Sequence, residues 1–256
     1  MSLSWTSTGL YAYLADDHLA VARVQGGFTP VLSGIEHFPF AEGELPQAIS
    51  ALGLKWSGTA AVKRAAVVLG SRWVRYLVLP WSRDLVRREF REKMAAALFE
   101  RQYQQPASGY RAVFGPSAYG QPLLVAYVQT PLLSTLTEGL QQQGITLKST
   151  QPLLAAVWNH HYPELRQQSG TLLIREPHRL LRVEHQAGHV KAVPLRPMED
   201  QDLPSVLSLL EGSVQLVSTL QAGAGIPGVQ EIWRRPIKST AFNSGHEMTY
   251  ALYGVA

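Results

Sequence analysis

Apolar residues recur along this chain at two spacings, and together they predict its elements. Residues 8–15 (TGLYAYLA) form a mostly apolar run that reads as a strand. Asp16-Asp17 makes a tight turn, and Leu19 to Gln25 is the returning strand. Gly26-Gly27 marks a second hairpin turn, and Val31 to Phe38 a third strand. Over 44–53, Leu45, Ile49 and Leu52 fall on one face, which predicts a short helix ending near Gly53. Ala65 to Leu69 (AAVVL) is a short apolar run suited to a strand covered on both faces. Trp73 to Leu79 alternates as a strand does, and Pro80 stops it. Ser82 can cap a helix running to about Tyr103, with Val86, Phe90, Met94 and Ala97 as its apolar stripe. Tyr110 to Phe114 and Leu123 to Gln129 predict two further strands. Thr130-Pro131 opens a helix with Leu133, Leu136 and Leu140 inward, ended by Gly144. Ile145 to Ser149 is a short strand, and Pro152 opens a helix carrying Leu153, Leu154, Val157 and Trp158.

The last third repeats the first in pattern. Thr171 to Arg175, Leu180 to Glu184 and Val190 to Leu195 read as strands. A helix with Pro204 in its first turn comes next, then a strand at Val214 to Val217. Three strands, a helix and a strand thus occur twice, near 8–69 and near 171–217, as a repeat of elements rather than of residues. Two β-β-β-α-β units predict an α/β fold whose lobes face a cleft. The first lobe is expected over 1–169 with a helical insertion at about 80–169, and the second over 170–256. The glycine-rich stretch 221–228 and the stretch 104–109 are the expected loops.

Composition narrows the function classes. The chain has 256 residues, 46% hydrophobic and 16% charged, enough to bury a core without staples. It has no cysteine, which excludes a disulfide scaffold, a thiol nucleophile, a cysteine zinc site and an iron–sulfur site. No apolar run reaches the ~18–20 residues of a membrane helix, and no secretory leader is visible, so a cytoplasmic protein is expected. The net charge is +4, but it is uneven. Between Lys63 and Lys93 lie nine basic residues against Asp84, Glu89 and Glu92. This basic segment suggests an anionic partner, or a solvated helix face with pairs such as Arg88 to Glu92.

Candidate chemistry is sparse. His160-His161 are adjacent on a helix and point about 100° apart, so they do not share a ligand face. His185 and His189 flank a turn without a third ligand and a nearby base, so no metal site is predicted. There is no Gly-x-Ser-x-Gly elbow, no phosphate loop ending in Gly-Lys, and no dinucleotide glycine motif opening a helix. Trp73 and Trp81 flank a strand beside Arg72, Arg75 and Arg83, a pairing that binding surfaces favour, though a core role is the plainer reading.

The stretch Val67-Val68-Leu69-Gly70-Ser71-Arg72-Trp73-Val74-Arg75-Tyr76-Leu77-Val78-Leu79-Pro80-Trp81 resembles a strand–turn–strand segment of bacterial actin-like assembly proteins. These are the PilM-like proteins of type IV pili and the cytoplasmic domain of the type II secretion protein called L. The run Leu147-Lys148-Ser149-Thr150-Gln151-Pro152-Leu153-Leu154-Ala155-Ala156 is similar to their strand-to-helix junction. The resemblance implies duplicated lobes of the actin-like ATPase, or ribonuclease H-like, superfold. Its members carry an Asp-x-Gly turn in the first hairpin of each lobe. Here Tyr11 stands in the place of that Asp and Tyr13 in the place of that Gly, where a tyrosine would fill the phosphate space. In the second lobe, Leu172 to Pro177 offers no Asp-x-Gly, and Ser218-Thr219 replaces the expected Gly-Gly. Only Asp16 or Asp17 remains as an acid to be recruited.

The resemblance therefore implies a pseudo-ATPase scaffold with no catalytic residues, metal or cofactor. It would sit at the cytoplasmic face of the inner membrane and hold the short tail of a membrane partner in a groove. An exposed strand edge can add that extended segment. Arg72, Trp73, Arg75, Trp81, Arg83, Arg87, Arg88 and Arg91 are the candidate partner-binding residues. Self-association stays open. The alternatives are an ATP-binding phosphotransferase of the same superfold and a nucleic-acid-binding protein using the 63–93 segment.

Overall fold

A strand that is apolar on both faces needs cover on both, and the central strands of this chain are built that way. In the computed structural model, described over residues 9–25, 31–56, 63–116, 118–176, 178–194, 203–210, 213–218 and 229–231, β1 (Gly9–Leu14) and β4 (Arg64–Leu69) are buried along nearly their whole lengths. β1 pairs antiparallel with β2 (His18–Gln25) and parallel with β4. β3 (Val31–Pro39) pairs with β2, and α1 (Leu45–Trp56) crosses back to β4. β8 (Thr146–Pro152) then joins β4 in parallel, giving the order β3-β2-β1-β4-β8. Leu45, Ala48, Ile49 and Leu52 of α1 are buried in one core with Leu132, Leu136 and Leu140 of α3 (Thr130–Gln142). Leu132 thus takes the inward place expected for Leu133, which is only partly buried.

Between β4 and α3 the chain builds a smaller antiparallel sheet. After a 3-10 turn at Ser71–Trp73 come β5 (Val74–Leu79), α2 (Arg88–Tyr103), β6 (Tyr110–Phe114) and β7 (Leu123–Gln129), paired in the order β5-β7-β6. Residues 80–169, expected as a helical insertion, therefore hold two strands of this sheet, and β8 completes the first sheet.

The helix expected from Ser82 is interrupted. Ser82 does cap, its hydroxyl accepting the Asp84 N–H at 3.3 Å, but it caps only a 3-10 turn at Arg83–Val86, and α2 begins at Arg88. Leu85 turns inward, while Val86 is 76% and Phe90 43% exposed. The buried residues of α2 are Ala95 and Phe99, because the Phe99 ring docks among Tyr103, Tyr110 and Tyr127 at 4.3–4.9 Å and fixes the helix's rotation.

The second sheet repeats the first. After α4 (Leu153–Leu165), β9 (Ser169–Glu176) pairs antiparallel with β10 (Arg179–Gln186) and parallel with β12 (Val214–Ser218). β11 (His189–Ala192), α5 (Leu203–Leu209) and β13 (Val229–Glu231) complete the order β11-β10-β9-β12-β13. The β10–β11 hairpin turns on Ala187 and Gly188, both with positive φ, the geometry that matches strand twist in a two-residue loop. Leu172, Ile174, Leu181, Val183, Val190 and Val217 of this sheet share one apolar cluster with the first sheet and α4. The turn at Gly26-Gly27, Trp5, Trp233, Thr219 and the 221–228 loop lie outside the described residues.

Candidate functional site

Among the described residues, two places gather the features of a site: the contact between the first hairpins of the two lobes, and a groove beside β8. Leu10 and Ala12 of β1 line a small space with α1 and α3, so Tyr11 and Tyr13 point to the opposite face of the sheet. There Tyr13 is fully buried, and its hydroxyl donates to Glu176 Oε1 at 2.5 Å. The Ser71 N–H donates to both Glu176 oxygens, at 3.0 and 3.1 Å. The Gly70 N–H donates to Leu14 O at 2.9 Å, and the Trp73 indole N–H to Ala15 O at 2.8 Å, which ties the segment 70–73 to the β1–β2 turn. Across the same contact Arg179 Nε donates to Asp16 Oδ2 at 2.5 Å.

The electrostatics reflect burial. Burial pushes the Glu176 carboxyl above its ordinary range, against hydrogen bonds from Ser71 and Tyr13 that hold it down. Burial first, and then the neighbouring Glu176 charge, hold the Tyr13 phenol well above its usual value. Burial alone pushes Tyr11 up to about 12. Tyr13 thus fills space where the expected pattern calls for glycine. Asp16 and Asp17 are both engaged, Asp16 with Arg179 and Asp17 with His18 Nδ1 at 2.6 Å. Sequence reasoning does not reach Glu176, Arg179, Gly70 or Ser71 as site residues. The signal for Glu176 is an acid closing an otherwise apolar strand, Leu172-Leu173-Ile174-Arg175-Glu176.

The eight residues expected to form one partner surface divide between the two ends of β5. At one end, Arg72 donates to Asp16 O and pairs with Glu42, both at 3.2 Å, and lies 5.4 Å from the centre of the Trp73 ring. Trp73 packs on the main core, and Arg75 donates to Arg72 O at 3.1 Å. These three brace the contact between the hairpins. At the other end, Trp81 meets Tyr119 edge-on at 5.0 Å around a shallow pocket of about 130 Å³ with Leu85 and Val86. Arg83, Arg87 and Arg88 are exposed there, Arg88 paired with Glu92 at 2.8 Å. The Arg91 guanidinium sits 5.0 Å over the Phe114 ring.

The groove is larger, about 470 Å³. One wall is β8, among the described residues the last strand on its side of the first sheet. Another is β6, the last strand of the small sheet. Val113, Ala126, Val128, Leu133 and Leu147 give it an apolar lining, and Arg111 and Lys148 add two cations. The pairing of β4 with β8 slips here: Ala65 faces Leu147 and Ala66 faces Ser149, so Lys148 is the extra residue of a bulge. A bulge re-aims a side chain and bends the strand. The run Leu147–Ala156, whose residues carry part of the sequence resemblance, supplies seven of the groove's lining positions. His185 Nε2 lies 3.0 Å from Gln215 Oε1, and among the described residues no three acid or histidine side chains group as metal ligands. Among the same residues no helix is long and apolar enough to cross a membrane.

No family model matches the chain, and no curated protein does. Solved structures do. The chain is similar to the cytoplasmic domain of EpsL, an inner-membrane component of the type II secretion system of Vibrio cholerae, at 13% identity and a TM-score of 0.64, over 97% of this chain and 94% of that one. It is similar to a structure of the PilM–PilN type IV pilus biogenesis complex, at 14% identity and a TM-score of 0.55, over 80% of this chain and 66% of that one. A third likeness is a Bacteroides thetaiotaomicron protein with an actin-like ATPase fold and unknown function, at 9% identity and a TM-score of 0.53, over 86% and 87%. The fold is the actin-like one that the duplicated elements and the two quoted stretches predict.

Proposed function

We propose that this chain is a non-catalytic actin-like scaffold of a type IV pilus or type II secretion-like machine. Its groove between β6 and β8 takes the cytoplasmic tail of an inner-membrane partner, which keeps the chain at the cytoplasmic face of that membrane. The open groove carries the reading. Two strand edges border it, so an extended segment can add main-chain hydrogen bonds to one of them. Alternate apolar side chains of the segment rest on Val113, Leu133 and Leu147, and an acidic residue meets Arg111 or Lys148. The likeness to a secretion component of the inner membrane and to a pilus complex of two proteins supports a partner of this kind. The basic face of α2, which the sequence offers to the tail, is left to other contacts. The absence of catalysis rests on the hairpin contact, where Tyr13 and the Glu176 carboxylate occupy the space between the hairpins.

The test is titration of the chain with labelled peptides covering the cytoplasmic tails of inner-membrane proteins encoded beside its gene. One tail is expected to bind, and Lys148→Glu to weaken it at least about tenfold, a loss of about 1.4 kcal/mol. A tail that binds the Lys148→Glu and Val113→Asp variants as tightly as the parent removes the groove from the proposal. Turnover of Mg-ATP overturns the non-catalytic reading.

A further inference from the structure

A carboxylate as buried as Glu176, 2% exposed, must be given donors or give up its charge. Its donors among the described residues come from the other lobe: the Tyr13 hydroxyl at 2.5 Å and the Ser71 backbone N–H at 3.0 and 3.1 Å. Gly70 keeps the space open. A Cβ there would stand 2.8 Å from Glu176 Oε1, 2.8 Å from Leu14 O and 3.1 Å from the Tyr13 hydroxyl. A backbone amide, a fixed hydroxyl and a glycine that lets the backbone approach are the parts from which proteins make sites for small oxyanions. The Asp16–Arg179 pair crosses the contact beside it at 2.5 Å, with the charges reversed: acid from the first lobe, base from the second.

We infer that Glu176 is a built-in ligand seated in an oxyanion site of the first lobe, and that its occupancy clamps the two lobes in one closed arrangement. Emptied of Glu176, the site takes a free anion of the same chemistry, a small carboxylate or inorganic phosphate. In the parent chain no soluble ligand has to close the lobes. The inference stands on the hairpin contact alone and is tested without a partner, so its failure leaves the groove untouched.

The experiment is chemical rescue. Thermal unfolding of the parent and of Glu176→Ala is followed in sodium chloride, formate and phosphate at matched ionic strength. The variant is expected to melt about 5 °C lower in chloride. Formate or phosphate is expected to recover part of that loss, saturating at millimolar concentrations, and to leave the parent unchanged. A folded variant whose melting temperature is the same in all three salts overturns the inference. If Glu176→Ala does not fold, Glu176→Ser, which also withdraws the carboxylate and leaves Gly70, Ser71 and Tyr13 in place, is measured in the same way. Lobe separation gives the second readout. Because the chain has no cysteine, Gln47→Cys and Gln186→Cys place two spin labels uniquely, one on α1 and one on β10. One narrow distance is expected in the parent and a broadened one in Glu176→Ala, narrowed again by formate. A distribution that is already broad in the parent, or is unchanged by the substitution, refutes the clamp.

Discussion

At Glu176, burial raises the carboxyl above its ordinary value of 4.5, and the hydrogen bonds from Ser71 and Tyr13 only partly offset it. The folded state then holds this proton more tightly than the unfolded chain does. Such a group contributes most stability below its unfolded value, and that contribution is lost as pH rises through the folded value. Urea unfolding from pH 4 upward should therefore show a component of stability that declines with rising pH in the parent and is absent in Glu176→Gln. Identical pH slopes for the two proteins would contradict the assignment. Tyr13 is legible in the sequence, because a register against a known turn puts a bulky ring where glycine belongs. Glu176 is not, because its partners Tyr13 and Ser71 stand 163 and 105 positions away, and no local pattern links them.

Strands are legible wherever they are buried, because an apolar run of five or six residues leaves little choice. Helix faces are less so. Val86, Phe90 and Met94 keep helical spacing, yet the first two face solvent, because the chain breaks at Arg87 and the rotation of α2 is set by Phe99 among three tyrosines. The two phenylalanines separate these readings. Phe99→Ala should cost about 3–5 kcal/mol and Phe90→Ala less than about 1 kcal/mol in urea unfolding. Comparable losses would restore the stripe read from the sequence. β8 is recognisable as a strand, but its sequence, Thr-Leu-Lys-Ser-Thr-Gln-Pro, does not say that it ends a sheet or borders a groove. That position depends on β8 pairing, among the described residues, with β4 alone, a property of the topology rather than of the segment.

For the molecule as a whole, the repeat of elements is enough to give two matching sheets, while the three strands between them are legible one by one but not as a small sheet of their own. The two large sheets and α4 share one apolar cluster, with Leu172, Ile174 and Val217 of one sheet packed in the same mass as Tyr13 and Val68 of the other. Lobes joined by such a core should unfold together. Tryptophan fluorescence and far-ultraviolet circular dichroism are expected to report a single urea transition with one midpoint. Two separated transitions would mean that the lobes stand alone.

The bulge at Lys148 bears on how a bare sheet margin survives in a crowded cell. An unpaired strand is a template for any other chain, and copies of the same protein are the most abundant candidates. A skipped residue puts the next polypeptide out of step, and a lysine at the skip keeps an unmatched cation against it. If the groove takes a tail as proposed, stacking of identical copies is thereby discouraged, while a visitor with a compensating kink and a negative charge is admitted.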